Sequence, residues 1–190
     1  ITIPIVFHNI HMDDGWGYVS EDKIIDVFEL INEAFNPWGI SFSLQEIIHF
    51  EDNPTWVFES YGSYWVEHAV SPATTLNIYI TGRNNPVGSL YSEYLGIAPY
   101  PWDFPEPEMS NWPDNGIVVH YQIFGVEDAN TNLFPAIFIG GDFLIKLIGQ
   151  YFGLWPTYQF GCDNGDLVDD TPNQANQIQF GGYCDENTDS

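Results

Sequence analysis

The stretch GGDFLIKLIGQYFGLWP, Gly140–Pro156, decides how the rest of the chain is read. From Asp142 to Leu154 it is nearly apolar all round, which predicts a helix buried in a core rather than one lying on a surface. Outward from it lie short strands, TLNIYIT (Thr75–Thr81) and GIVVHY (Gly116–Tyr121), with a Pro-, Trp- and Tyr-rich loop between them from Pro99 to Pro113. Nearer the start, Thr2–Ile10 alternates as a strand does. Ser20 precedes Glu21 and Asp22, a cap followed by acids at the positive end of a helix. Ile24, Val27, Phe28, Ile31, Ala34 and Phe35 then recur at helical spacing until Asn36-Pro-Trp-Gly39 stops them. Ile40–Ile48 reads as a second strand. Val57, Tyr61, Tyr64, Trp65 and His68 suggest a second, weaker helix. Strands and helices in this order predict an α/β (α+β) fold, a twisted mixed sheet of about five strands packed on two or three helices.

The chain has 190 residues, of which 44% are hydrophobic and 17% aromatic, enough for one domain with a real core. Its charge is lopsided. Asp and Glu number 27 against 3 Lys and Arg (Lys23, Arg83 and Lys146), a formal charge of −24. That leaves almost nothing to neutralise phosphate, so nucleic acid and anionic membrane surfaces are excluded as partners. No stretch is long and apolar enough to span a membrane. The first residue is Ile1 rather than Met, which suggests a processed product or an excised domain. Asp185–Ser190 reads as a linker or tail with more chain following. Cys162 and Cys184 are an even pair at short spacing beside glycines, which fits a disulfide in an oxidising compartment better than two free thiols.

Four stretches in the same order resemble the pappalysin-like (cytophagalysin, ulilysin) metzincin metalloproteases. IPIVFHNIH (Ile3–His11) is similar to the family's first strand, and INEAFNPWGISFSL (Ile31–Leu44) to its first helix end and second strand. GDFLIKLIGQYFGLWP resembles its active-site helix, and GCDNGDLVDDTPNQ (Gly161–Gln174) the segment after the zinc site. The resemblance implies a single metzincin-like N-terminal subdomain over 1–190, ending before the subdomain with the Met-containing turn. It also implies a secreted or cell-surface location and a Cys162–Cys184 bridge.

The resemblance departs where the chemistry sits. The family motif H-E-x-x-H-x-x-G-x-x-H falls on Lys146, Leu147, Gln150 and Pro156, with Gly149 and Gly153 kept as spacers. An ammonium has no lone pair for zinc, and a leucine cannot act as general base. The expectation is therefore no zinc, no catalytic residue and no enzyme. The predicted role is a catalytically inactive extracellular structural, adhesion or assembly module working through protein partners or self-assembly. A regulatory pseudoprotease that binds peptides in the old cleft, by strand addition at a sheet edge, is the alternative. An active secreted metallopeptidase comes last. Two readings of Lys146 stand side by side: its ammonium fills the vacated zinc cavity, or it reaches solvent along its alkyl stem. His8 and His11, three apart in one strand, should point to opposite faces, and His49, His68 and His120 are scattered. Asp163, Asp166, Asp169, Asp170 and Thr171, with Asn164, crowd around Gly165 and suggest a calcium loop, against plain Asp/Asn turn chemistry.

Overall fold

The computed structural model describes residues 1–51, 68–82, 96–103, 116–126 and 140–169, together with Gln174 and Cys184. The weak helix expected around 57–65, most of the aromatic loop between Pro99 and Pro113, and Asp170, Thr171 and Asp185–Ser190 lie outside the described residues. The chain divides into two compact units, Ile1–Tyr151 and Phe152–Ser190.

The first unit is built on five strands: β1 (Thr2–His11), β2 (Ser41–Glu51), β3 (Leu76–Thr81), β4 (Gly96–Ile97) and β5 (Ile117–His120). They lie in the order β2-β1-β3-β5-β4. All neighbours are parallel except β4, which runs antiparallel to β5. The expected mixed sheet is found. β1 is interior, and its run Ile5–His11 is buried throughout, as a parallel strand covered on both faces must be. The β1–β2 ladder shifts between Ile5 and Val6, where Ile5 pairs Leu44 and Val6 pairs Glu46, so Gln45 is the extra residue of a bulge.

Alternation sorts the sheet into two faces. Ile5, Phe7, Asn9 and His11 share one with Phe42 and His49; Val6, His8 and Ile10 share the other with Asn77, Tyr79 and Val118. Helix α1 (Glu21–Phe35) lies on the first face. It buries Ile24, Val27, Ile31 and Phe35 of its periodic stripe and half-buries Phe28 and Ala34, and Phe35 meets Phe42 edge-on at 5.4 Å. Ser20 has the extended backbone of a cap, yet its side chain makes no capping bond; only its carbonyl enters the helix, accepting from Ile24 N at 3.2 Å. The helix end at Asn36–Trp38 is a short 3-10 turn closed by Gly39 at φ 73°.

Helix α2 (Asp142–Tyr151) is the apolar helix of the opening stretch. It stops three residues before the expected Leu154, and Gly153 beyond it takes φ 98°, a backbone glycine adopts without strain. The approach of α2 to the sheet edge explains a second glycine. A Cβ on Gly96 would lie 2.6 Å from Leu147 Cδ1 and 2.7 Å from the Val118 carbonyl oxygen, so only glycine lets β4 sit there.

In the second unit, a short helix α3 (Gly161–Asn164) follows Trp155 and Phe160, which meet at 5.4 Å. Cys162 and Cys184 are disulfide-bonded with Cα atoms 5.5 Å apart, as expected.

Candidate functional site

Of the four positions that the sequence singles out at the helix, Leu147 and Gln150 do structural work. Leu147 is buried against the Gly96 slot. Lys146 is exposed, its ammonium 5.4 Å from the Phe143 ring centroid, so the reading in which it fills an internal cavity gives way to the solvent-facing one. Gln150 Nε2 donates to the Ala98 carbonyl at 2.6 Å, tying α2 to the residue just past β4. Pro156, half-buried, belongs to the second unit.

The acidic turn is only partly in view. Asp166 is buried and its Oδ1 accepts from Val168 N at 3.1 Å, the side-chain turn that Asp favours, while Asp163 and Asp169 are exposed. Next to it Leu167 takes φ 66°, a left-handed backbone rare for a branched side chain.

A pair of imidazoles and a single buried one, which the spacing did not reveal, stand on opposite faces of the sheet. On the helical face, at the ends of β1 and β2, His49 stacks on Tyr18 at 5.4 Å and His11 meets the same ring edge-on at 5.1 Å; the two imidazoles are 6.3 Å apart. The partners fix the tautomers. Asn9 Nδ2 donates to His49 Nδ1 at 3.2 Å, so His49 Nε2 carries the hydrogen toward Glu21 Oε1 at 3.3 Å. His11 Nδ1 donates to the Met12 carbonyl at 3.0 Å, leaving Nε2 as its acceptor. Scattered in sequence, His11 and His49 meet because parallel pairing sets Asn9 opposite His49, a register that no local pattern announces.

On the other face His8 is fully buried, stacked on Tyr79 at 4.5 Å, with Nε2 2.9 Å from Asn77 Oδ1. Burial pushes its pKa below the ordinary imidazole value, against the opposing effect of the Asn77 bond and with a small added push from His68. The opposite-face expectation for His8 and His11 holds.

No family model matches the chain. Individual relatives do. An extracellular metalloprotease of Colletotrichum graminicola is 27% identical over 180 residues, covering 92% of this chain and 59% of the relative. One of Neurospora crassa is 28% identical over 181 residues, covering 92% and 58%. One of Pyricularia oryzae is 29% identical over 162 residues, covering 84% and 51%. The chain thus spans less than three-fifths of the length of these curated relatives.

These relatives correct the sequence-based reading of function. The expected inactive structural, adhesion or assembly module, its pseudoprotease alternative, and the statement that the chain is no enzyme are overturned: the proteins it resembles along nearly its whole length are named proteases. Their name also implies a metal. Lys146 and Gln150 on the α2 face do not fit one, because Lys146 has no lone pair to give and an amide is not among the Cys, His and carboxylate ligands that zinc takes. Among the described residues no group of three or more His, Cys, Asp and Glu stands close enough to hold an ion. The extracellular location agrees with the relatives' name and with the disulfide, and no helix among the described residues is long and apolar enough to cross a membrane. Over 92% of its length, at 27% identity, the chain is metalloprotease-like, a relative of the extracellular metalloproteases of fungi.

Proposed function

We propose that this chain is part of a secreted metal-dependent peptidase that acts on proteins outside the cell. The observation that carries the reading is the similarity over 92% of the chain to fungal proteins of that name. The finer assignment, to the pappalysin-like group, is supported by IPIVFHNIH, INEAFNPWGISFSL and GCDNGDLVDDTPNQ in that order. Metal donors on this reading come from residues other than Lys146 and Gln150.

Among the described residues the sheet has two edges, β2 and β4, and an extended substrate is placed here on β4. β4 pairs with β5 on one side, and among the described residues no strand pairs with its other side. The Gly96 slot and the Gln150–Ala98 bond hold that edge firmly against α2. Main-chain pairing along such an edge reads a polypeptide without regard to sequence. Protein rather than nucleic acid is the partner, since a chain with 3 basic residues and a charge of −24 repels phosphate. A structural calcium at Asp163, Asp166, Asp169, Asp170 and Thr171 completes the proposal: carboxylates crowded in a chain so poor in cations gain most from a divalent partner. Titration with calcium should then raise the melting temperature, and an unchanged melting temperature removes the calcium from the account.

The test of the peptidase is cleavage of an unfolded protein substrate by the natural full-length protein, with products mapped by mass spectrometry. Discrete peptide-bond cleavage that a chelator stops is expected. Intact substrate after prolonged incubation with metal-loaded protein would refute the proposal.

A further inference from the structure

Asn77 is a hub on the sheet face opposite the helices. Its Nδ2 donates to the Val70 carbonyl at 3.1 Å and the Thr75 carbonyl at 3.2 Å, and its Oδ1 accepts from Val70 N at 2.9 Å. One buried side chain therefore fastens the segment 70–75 to β3 at both polar groups of Val70. Both amide hydrogens point at carbonyls, so Oδ1 is the acceptor toward His8, and the hydrogen of that 2.9 Å bond sits on His8 Nε2. The remaining nitrogen, His8 Nδ1, is left as a bare lone pair, fully buried and with no hydrogen-bond partner among the described residues.

This arrangement suits a neutral imidazole only. A proton added at Nδ1 would create a donor with no acceptor and a charge with no water around it. The ionisable groups facing His8 among the described residues offer little relief. They are Tyr79 stacked on it from β3, His68 from the segment before β3, His120 from β5 on the same face, and Glu46 from β2, which shares the face but is exposed to solvent. We propose that His8 is a buried proton sensor: mild acid charges it, and the charged ring leaves its place on Asn77 and frees the segment 70–75. The inference is independent of the peptidase reading.

The direction follows from linkage. Held below its unfolded value of about 6.5, the His8 pKa makes the closed state bind fewer protons than the open one at any pH under that value. The contribution is fully present above about pH 6.5 and is lost as pH falls toward the folded pKa. Over that window the equilibrium for opening rises by up to about tenfold per pH unit.

Hydrogen exchange of the Val70 amide reads this opening directly. Its protection factor should fall by up to about tenfold per unit between pH 6.5 and 5.5, a range above ordinary carboxylate titration. His8→Gln, which keeps an amide donor for Asn77 but cannot charge, should flatten that dependence, and His11→Gln on the opposite face should retain it. Nitrogen-15 shifts of the His8 ring supply the measurement that needs no variant: the closed state should stay in the neutral Nε2–H form below pH 6.5. A His8 ring that titrates at its ordinary value, or Val70 protection that does not change with pH or changes equally in His8→Gln, overturns the proposal.

Discussion

Gly96 and Asn77 are the residues whose replacement the structure prices most clearly. Gly96→Ala drives a methyl to within 2.6 Å of Leu147 Cδ1 and 2.7 Å of a backbone oxygen, and only the leucine can move away. A loss of about 1–3 kcal/mol in chemical denaturation is expected, the usual cost of overpacking; an unchanged midpoint would mean that β4 lies elsewhere. Asn77→Ala strands a buried donor on His8 and a half-buried one on Val70, and about 2–4 kcal/mol of lost stability is expected from two unsatisfied groups. At this scale the sequence was readable only where chemistry is local. The Asp166 turn and the Ser20 helix start are written in neighbouring residues, though Ser20 caps with its carbonyl and not its hydroxyl. Gln150 and the His8 bond of Asn77 look ordinary in sequence because the partners lie far apart along the chain.

Among the elements, α1 declared itself and β4 did not. Ile24, Val27, Phe28, Ile31, Ala34 and Phe35 repeat at the helical period, and the structure buries four of them and half-buries Phe28 and Ala34. Ile31→Ala should therefore cost about 2–5 kcal/mol, as buried large-to-small changes do, with the loss read as an earlier urea midpoint at unchanged slope. A two-residue strand such as Gly96–Ile97 carries no period at all; only the close approach of α2 and pairing to β5 define it. The meeting of His11 and His49 is likewise a property of the pair β1–β2, fixed by a register with a bulge in it. The Gln150–Ala98 bond belongs here too. Gln150→Ala should loosen the sheet edge, seen as faster amide exchange at Ile97 and Ala98 with little change at β1, whereas uniform change across the sheet would deny it a local role.

For the molecule as a whole, two quantities dominate. One is charge: 27 acidic against 3 basic residues leaves self-repulsion that salt screens, so raising sodium chloride from low to moderate concentration should raise the melting temperature. Insensitivity to salt would show the carboxylates to be neutralised in some other way. The other is descent. The fold class was legible from the order of strands and helices, and the metalloprotease resemblance from four short stretches. Inference from the α2 residues to an inactive module went further than the chemistry of one helix face allows, and the named proteases among the relatives reverse it. What remains is narrower: an ammonium at Lys146 and an amide at Gln150 are not the ligand types that zinc takes.

The most direct measurement is peptide hydrolysis by the natural full-length protein, first stripped of metal and then given zinc in increments. No hydrolysis is expected in the stripped protein, and activity should return in proportion to zinc until a stoichiometric amount has bound. A protein that binds no zinc, or that binds it and still leaves every peptide bond intact, contradicts the peptidase reading.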